Sequence, residues 1–401
     1  MRVTLLTHYY PPEVGAPQAR LSALARGLGR RGVEVTVHTG FPHYPDGVIQ
    51  PAYRNRPWRA EEEDGVRVVR SVIYPAPNRG VGRRIANHLS FGFSALATAP
   101  AAGPADVVIV ETPPLLLAGS SIAYARGKRA ALVVNVSDMW PDSAVALGTL
   151  RRPRLVSSAR TLEHACYRAA AAIVCPTRGI ESALGELEEA RGKVHRIPPS
   201  VNPEQFPDSP PRANGAFRVL YAGTVGMSQG VGTLMDAAEL LEDDSGIEIV
   251  IAGDGAEGPE LRRRLAQGAL RNVTMLGRVP HERIPELYAD ADAAVVLLRN
   301  KPLFEGALPT KMFEAMSAGR PLVLSAAGEA ATLVKKASCG LVVSPERPSE
   351  LADALSDLAR DRERAGRLGA AGRQAVLEGY SRERAFDRWY DLLTSLAAQR
   401  T

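Results

Sequence analysis

The sequence has few cysteines and no long apolar run, and each shortage excludes a class of protein. Cys166, Cys175 and Cys339 are the only cysteines in 401 residues. Their separation suits neither a disulfide framework nor a zinc site, so we expect reduced, buried thiols. No apolar stretch reaches the roughly 18 residues needed to span a bilayer. The first residues follow a strand pattern and not that of a signal peptide. We therefore expect a cytoplasmic protein.

Lysine is also scarce, since only 6 of the 49 basic residues are lysine. Residues 1–197 hold 25 basic and 16 acidic residues, a net +9, whereas residues 198–401 hold 24 and 28, a net −4. The basic half suits an anionic partner, such as a lipid diphosphate or an acidic membrane face, and it equally suits simple surface solubility. Arginine clusters without interleaved aromatic residues do not indicate a nucleic-acid partner.

Apolar, β-branched runs alternate with Ala- and Leu-rich helical runs along most of the chain. This alternation indicates α/β domains whose parallel sheets are covered by helices on both faces. A Pro-rich stretch at 197–211 interrupts the pattern. We therefore predict two Rossmann-like domains facing a central cleft, at 1–197 and 198–380, and a C-terminal helix at 381–401 that packs back on the first. The predicted strands are 3–6, 33–37, 107–110, 132–136, 172–175, 217–221, 247–251, 273–276, 294–298, 322–324 and 340–343.

Two loops of the first domain follow predicted strands, where ligands of such sheets bind. Gly15 could allow close backbone approach before the helix that carries Arg20, although two prolines alone would make this loop irregular. Asp138 and Trp140 follow a later strand and should project into the cleft. An aspartate at such a position also fits a simple helix cap.

Residues 308–321 place a cation, a carboxylate and a helix start within two turns. Pro309 and Thr310 indicate a helix start, with Thr310 able to accept bonds from free backbone N–H groups. Lys311 adds positive charge where the helix dipole favours an anion, and Glu314 could reach neighbouring sugar hydroxyls. The pattern predicts a sugar-nucleotide clamp, although a solvated ion pair on a packed helix also fits it.

Two glycine-rich segments follow strands of the second half. Residues 222–232 contain four glycines, among them Gly226 and Gly230, which would let backbone amides approach a diphosphate. Residues 253–258 match G-x-G-x-x-G formally, but the acid that a dinucleotide site needs after the next strand is missing. A dehydrogenase would depend on this segment alone.

Together these stretches resemble the retaining GT-B glycosyltransferases of family 4 over nearly the whole chain. The resemblance is carried by the Pro-Pro-x-x-Gly loop after the first strand and by the segments 223–232, 250–255, 276–279, 309–321, 328–329 and 338–343. Within the family, residues 138–143 and 227–230 are most similar to the branch that builds O-antigen and capsule polysaccharides with amino-sugar donors such as N-acetyl-fucosamine.

The resemblance implies that the second domain binds a nucleoside-diphosphate sugar and that the first binds the acceptor. Lys311 would neutralise the diphosphate leaving group and Glu314 would hold the ribose, without a metal or other cofactor. Retaining transfer in this fold is described as front-face attack, in which the leaving phosphate takes the acceptor proton. The residues implied to bind the donor are Gly226, Gly230, Arg278, Val279, Pro309, Thr310, Lys311, Glu314 and Glu329. Those implied for the acceptor are Gly15, Arg20 and Trp140, with Asp138 nearest the place of a family histidine.

The sequence departs from the family pattern at the donor site. The first glutamate of the family's E-x7-E pair falls on Gly306, and Glu305 is one residue out of register. Thr224 and Gln229 stand near the positions of the usual arginine and lysine of the glycine-rich loop. Lys311 and Arg278 therefore remain as the charges expected on the diphosphate.

The hypothesis is a metal-independent retaining transferase, peripheral at the inner face of the cell membrane. It would move a sugar, such as an N-acetyl amino sugar, from a UDP-type donor to a lipid-linked saccharide or small glycan. Residues 79–84 and the apolar residues 85–93 could form an edge that docks on an anionic membrane. Two alternatives stay open: a nucleotide-sugar epimerase of the same fold, and a non-catalytic sugar-nucleotide-binding partner of another transferase.

Overall fold

The alternating strands and helices form two separate sheets in the computed structural model, as predicted. The structure describes residues 1–13, 15–44, 46–76, 81–146, 150–207, 212, 214–242, 246–268 and 270–399. Met1–Ile197 and Phe386–Thr401 make up one unit, here called the N-terminal unit. Pro198–Ala385 make up the other, the C-terminal unit.

The N-terminal unit is built on an eight-stranded sheet of order β3-β4-β2-β1-β5-β6-β7-β8. Its strands are β1 (Arg2–Leu6), β2 (Glu34–Gly40), β3 (Trp58–Glu63), β4 (Val66–Ser71), β5 (Val107–Thr112), β6 (Ala131–Val136), β7 (Ala172–Cys175) and β8 (Val194–Arg196). Every residue of β5, β6 and β7 is buried. Continuous apolar sequence is therefore explained by helices on both faces of these central strands.

Six helices accompany this sheet. They are α1 (Ala16–Gly29), α2 (Val81–Ala97), α3 (Leu115–Lys128), α4 (Asp142–Ala146), α5 (Pro153–Ala169) and α6 (Arg178–Gly185). The core on one face gathers Phe91 of α2, Leu117 of α3 and Cys166 of α5 against the strands. This packing fixes α2 and α3 beside the carboxyl ends of the central strands.

One edge of this sheet departs from the predicted parallel arrangement. β3 runs antiparallel to β4, and Trp58 pairs with Ser71 at one end of the hairpin. The turn between them places Asp64 and Gly65 at φ of 50° and 74°. An Asp-Gly pair favours this turn because both residues tolerate positive φ. The polar strand Trp58–Glu63 is only half-buried, as suits an edge.

The C-terminal unit contains a six-stranded, fully parallel sheet of order β11-β10-β9-β12-β13-β14. Its strands are β9 (Phe217–Ala222), β10 (Ile247–Ala252), β11 (Val273–Gly277), β12 (Ala293–Leu297), β13 (Leu322–Ser325) and β14 (Gly340–Val343). Its helices are α7 (Gly232–Leu240), α8 (Gly258–Ala266), α9 (Ile284–Ala289), α10 (Thr310–Ser317), α11 (Gly328–Ala337), α12 (Pro348–Arg360) and α13 (Arg362–Ala375).

The last helix, α14 (Arg382–Ala398), has residues in both units. At its start, the Arg382 N–H donates to the Val201 carbonyl at 2.7 Å. Farther along, Phe386 packs on α1, where a Cβ added to Gly27 would lie 2.4 Å from the Phe386 ring. Arg31, two residues after the end of α1, pairs with Asp387 at 2.7 Å. Glycine at position 27 thus lets the two helices of the N-terminal unit approach closely.

Candidate functional site

Two glycine-rich loops touch at the carboxyl ends of β9 and β10. A Cβ added to Gly253 would lie 1.8 Å from the Gly223 carbonyl oxygen, and one added to Gly255 would lie 2.4 Å from the Val225 carbonyl oxygen. Gly223 and Gly253 also adopt φ of 138° and 154°. Any side chain at these positions would separate the loops. Close packing of the two loops therefore requires glycine at 253 and 255. The loops expose backbone without side chains at the carboxyl ends of these strands.

Lys311, the second residue of α10, points its ammonium at this bare backbone. Its Nζ donates a hydrogen bond to the Tyr221 hydroxyl at 2.9 Å and lies 4.1 Å from the centroid of that ring. A Cβ added to Gly223 would lie 2.9 Å from the same Nζ. The Tyr221 hydroxyl in turn donates to the Thr224 carbonyl at 2.5 Å. Tyr221, which sequence reasoning missed, therefore joins the lysine to the glycine-rich loop.

The electrostatics of α10 come from partial burial. Burial lowers the pKa of Lys311 to about 8, against a smaller opposing effect of Glu314. Burial also raises the pKa of Glu314, while His281, Lys311 and Arg382 act against that rise. The hydrogen bond of Lys311 goes to a neutral hydroxyl. The ammonium is therefore poorly hydrated and has no hydrogen-bonded carboxylate among the described residues to neutralise it. Binding of an anion would strongly stabilise such a charge.

The start of α10 differs from the prediction in one respect. Pro309 is the cap residue, in an extended conformation, and no side chain caps the helix. Thr310 is the first helical residue and is exposed. The prediction that Thr310 accepts backbone bonds was therefore wrong, because the residue lies one position too far into the helix. First-turn amides without a side-chain cap remain suited to an anionic ligand beside Lys311.

The loop that carries Gly226 and Gly230 is anchored by Arg299, which follows β12. The Arg299 N–H donates to the Ser228 carbonyl at 3.0 Å, and its guanidinium donates to Glu257 at 2.7 Å. Gly230 has φ of 65°, and a Cβ there would lie 3.2 Å from Arg299 Cγ. The sequence analysis did not identify Arg299 as a site residue. An arginine directly after a predicted buried strand could have indicated a functional position at the carboxyl end of that strand.

The remaining donor candidates lie along the same sheet edge. Arg278 is exposed after β11. Hydrogen bonds from the Gly255 N–H and from Arg262 lower the pKa of Asp254, and the charge of Arg278 adds a smaller effect in the same direction. Val279 packs against the core around α10. The Glu329 N–H at the start of α11 donates to the Glu305 carbonyl at 2.6 Å. The segment that replaces the expected first glutamate is thus attached to α11.

In the N-terminal unit, Arg20 is part of a hydrogen-bonded network. Its guanidinium donates to Glu111 at 2.5 Å and to Ser137 at 2.8 Å. Asn135 donates to the other Glu111 oxygen at 2.6 Å. Glu111 is 5% exposed, whereas Arg20 is 43% exposed. Gly15 directly precedes α1, and a Cβ there would lie 2.5 Å from Gln18 Oε1. The charge of Arg20 is balanced within this network.

Asp138 and Trp140 were predicted to project into the cleft, and the structure exposes them to different extents. Asp138 is exposed, but Trp140 is partly buried against the core of the N-terminal unit together with Met139. Packing the large indole surface against apolar neighbours explains the difference. Asp138 is thus the more exposed of the two.

Three further features concern the described part of the chain. Cys166, Cys175 and Cys339 are buried, as expected. Within the described ranges, no three His, Cys, Asp or Glu side chains are grouped so that they could hold a metal ion. Of the helices described, none combines the length and apolar character needed to cross a bilayer.

Family comparisons assign related activities to the two halves. Residues 203–375 match the model described as glycosyl transferases group 1, and residues 15–200 match the glycosyl transferase 4-like domain. A GDP-mannose-dependent alpha-(1-6)-phosphatidylinositol monomannoside mannosyltransferase of Mycobacterium tuberculosis is 29% identical over 99% of this chain and 97% of its own length. Alpha-D-kanosaminyltransferase of Streptomyces kanamyceticus is 29% identical over 56% of this chain and 60% of its own length.

Solved structures support the fold. Sucrose-phosphate synthase from Thermosynechococcus elongatus superposes with a TM-score of 0.76 at 18% identity, covering 99% of both chains. HepE of Anabaena, solved in complex with UDP, gives a TM-score of 0.73 at 15% identity, over 98% of this chain and 100% of that one. At this identity the likeness concerns the two-sheet GT-B architecture alone.

Proposed function

From the premise that this chain is a glycosyltransferase of the GT-B fold, we propose that it transfers a sugar from a nucleoside-diphosphate sugar to a saccharide acceptor. Its relatives include a putative colanic acid biosynthesis glycosyl transferase of Escherichia coli, so a role in glycoconjugate or polysaccharide synthesis is part of the proposal. We infer the donor site in the C-terminal unit and the acceptor site in the N-terminal unit.

The observation that carries the proposal is the position of Lys311. Its ammonium lies against the bare backbone of Gly223, at the start of a helix without a side-chain cap. The ammonium donates its hydrogen bond to a neutral hydroxyl, that of Tyr221. A diphosphate would supply the anion that this partly buried cation lacks, and backbone amides would complete its coordination.

The other donor contacts follow from their places in the C-terminal unit. Glu314 lies one turn after Lys311 and would accept bonds from ribose hydroxyls. Arg278 and Val279, after β11, would meet the base, and Glu329 at the start of α11 would contact the donor sugar. The loop of Gly226 and Gly230, anchored by Arg299, would cover the diphosphate. The donor is proposed to be UDP-linked, and an N-acetyl amino sugar is the proposed group.

The chemistry proposed is retaining transfer without a divalent metal. Charge develops on the diphosphate as its bond to the sugar breaks, and Lys311 with the first-turn amides of α10 would stabilise that charge. The acceptor hydroxyl would attack from the same face and pass its proton to the leaving phosphate. Asp138, exposed after β6, would position the acceptor, together with Gly15 and Arg20. These residues mainly orient the reactants.

A lipid-linked acceptor would be reached through helix α2. Ile85, Leu89 and Phe93 are spaced four residues apart and are 41%, 40% and 70% exposed. Arg83 and Arg84 are exposed at the start of the same helix. An apolar stripe beside basic residues suits docking on an anionic membrane surface. Residues 79 and 80, part of the predicted docking edge, lie outside the described residues. Peripheral membrane localisation is therefore part of the proposal.

Thermal stabilisation by free nucleotides tests the donor site. UDP and GDP, with UDP-sugars and GDP-mannose, should be compared, because HepE was solved with UDP and the mycobacterial relative is named for GDP-mannose. A ligand of the folded state raises Tm by mass action. We expect Tm to rise either with UDP and UDP-sugars or with GDP and GDP-mannose. This rise should disappear in Lys311→Ala and persist in Lys336→Ala, which changes an exposed lysine on α11. No rise with any nucleotide would refute the donor site.

Vesicle sedimentation tests the membrane part. We expect binding to vesicles that contain anionic lipid, weakened by salt and by Phe93→Ser, because both charge and apolar burial contribute. Leu240, which is 61% exposed in the C-terminal unit, provides the matched control Leu240→Ser. Binding that ignores anionic lipid and salt would exclude this docking mode.

A further inference from the structure

Aromatic and imidazole rings gather at the carboxyl ends of β1 and β2, in a group that the proposed function does not use. The residues come from three elements: the segment after β1, the segment after β2 and helix α2. We call this group the aromatic cluster, and its members are His8, Tyr9, His43, Tyr44, Asn87 and His88. Ligands of parallel α/β sheets bind at this end of the strands.

Hydrogen bonds fix the proton positions inside the cluster. His43 Nδ1–H donates to the Phe41 carbonyl at 2.9 Å, so its Nε2 accepts from the Asn87 amide at 2.9 Å. The Asn87 carbonyl oxygen then accepts from His8 Nε2–H at 2.7 Å. His8 Nδ1 is left as an acceptor. It is buried and has no partner among the described residues.

The base of the cluster is held in place by a carboxylate and a carbonyl. Glu13 Oε1 accepts the backbone N–H of His43 at 2.9 Å and that of Tyr44 at 2.8 Å. The Asn87 amide also donates to the Tyr74 carbonyl at 2.6 Å. These bonds position the rings before any ligand arrives, which lowers the entropy cost of binding.

Three members reach the surface. Tyr9, Tyr44 and His88 are partly exposed, with the Tyr9 and Tyr44 ring centroids 5.4 Å apart and those of His8 and His88 4.6 Å apart. Burial lowers the pKa of His88 to about 4, and Arg84 and His43 add to this effect. The imidazole is therefore neutral at pH 7. The exposed surface combines apolar ring faces with uncharged hydrogen-bonding groups.

We propose that the aromatic cluster binds the ring of a neutral saccharide, with Tyr9 and Tyr44 against its C–H face and His88 bonded to a hydroxyl. Identifying this saccharide as the acceptor rests on the proposed function. Sugars expose both apolar C–H faces and hydroxyls, and such ligands bind to aromatic surfaces with a few placed polar groups. The buried His8 Nδ1, which has no partner among the described residues, is an acceptor that a ligand hydroxyl or a water can satisfy.

Saturation-transfer difference NMR on the full chain tests this site. The probes are the methyl α-glycosides of glucose, mannose and N-acetylglucosamine, and myo-inositol, each at millimolar concentration. Wild type is compared with Tyr44→Ala and His88→Ala, which lie on different elements, so that one variant still reports if the other unfolds. Trp58→Ala is the matched control, because Trp58 is 42% exposed on β3 of the same unit.

We expect at least one probe to bind wild type and Trp58→Ala equally, and to bind both cluster variants about three- to tenfold more weakly. Equal binding by the cluster variants would overturn the proposal, as would the absence of binding by every probe. Adding UDP and testing Lys311→Ala separates the two proposals. If the donor site is wrong, UDP fails to bind while the saccharide signal remains. If the proposal for the aromatic cluster is wrong, UDP binds and the saccharide signal is absent or unaffected by the cluster variants.

Discussion

The two units use charge in opposite ways. The N-terminal unit belongs to the half with a net charge of +9, yet its arginines near the strand ends are paired. Arg20 bonds to Glu111, and the buried Arg70 bonds to Glu61 and Glu63. The C-terminal unit comes from the half with a net charge of −4 and holds Lys311 against a neutral hydroxyl. Net charge therefore did not locate the candidate anion site. Local pairing and burial did.

Replacing Lys311 by alanine should produce the largest change. We expect kcat/KM for transfer to fall by about 10²- to 10³-fold, because removing a preorganised group that stabilises developing charge has effects of this size. The measurement is initial-rate kinetics with the donor identified by thermal stabilisation. Lys336→Ala serves as the control and should retain wild-type rates. If Lys311→Ala kept near wild-type kcat/KM, the contrast between the units would lose its main support.

Gly223→Ala should have the second largest effect. A Cβ there would lie 2.9 Å from Lys311 Nζ, on backbone with φ of 138°. Moving the ammonium aside should weaken UDP binding by roughly 10- to 100-fold, as misplacement of a binding group does. Calorimetry with UDP measures this. Gly232→Ala is matched to it, because a Cβ at that position meets nothing within 4 Å. Equal losses in both variants would indicate a general effect on the loop and not on Lys311.

Tyr221→Phe should weaken UDP binding by about tenfold or less, since it removes one hydrogen bond to a charged group. The pH dependence of UDP affinity gives a more specific test of the role of Tyr221. Burial places the pKa of Lys311 at about 8 in the free protein, so wild-type affinity should fall as pH rises from 7 to 9. The Tyr221 hydroxyl favours the charged ammonium. Its loss should therefore lower the Lys311 pKa and move the decline in affinity to lower pH. An unchanged midpoint would exclude this role for Tyr221.

Glu111→Gln should have the smallest effect on nucleotide binding and a visible effect on stability. Glu111 accepts from Arg20, Asn135 and Ser137. Removing its charge should lower the free energy of unfolding by about 1.5–3 kcal/mol, the range for hydrogen bonds to charged groups. Chemical denaturation measures the loss. The response to UDP, which belongs to the other unit, should stay at the wild-type level, and a weakened response would contradict the independence of the two sites.

The fold could be predicted where local sequence decides the structure. The continuous apolar runs gave β7 and β14 to the residue. Every residue of β7 is buried, and a strand covered on both faces needs apolar side chains at every position, whereas β14 is a partly buried edge strand that is apolar all the same. The strands β3, β4 and β8 were missed. β3 has the polar composition of an edge strand, and its signal was the Asp-Gly turn at 64–65 and not hydrophobicity. β8 contains only three residues, too few to show a pattern.

The candidate site was predictable in part for the same reason. Lys311 and the glycines stand out in short windows of sequence. Their partners do not, because Tyr221 is separated from Lys311 by 90 residues and His43 from Asn87 by 44. Such pairs are set by the order of strands in each sheet, which composition and periodicity leave open. Only the fold brings them together.

Helix α14 has a consequence for the synthesis of the protein. The sheet of the N-terminal unit leaves the ribosome first, but Phe386, which covers Gly27 on α1, follows only after all of Pro198–Ala385. The C-terminal unit is continuous in sequence and can be completed while α1 still lacks its cover. Domains generally fold in the order of their synthesis. Here the unit that is translated first is the one that is finished last, and its nascent form exposes an apolar surface to chaperones.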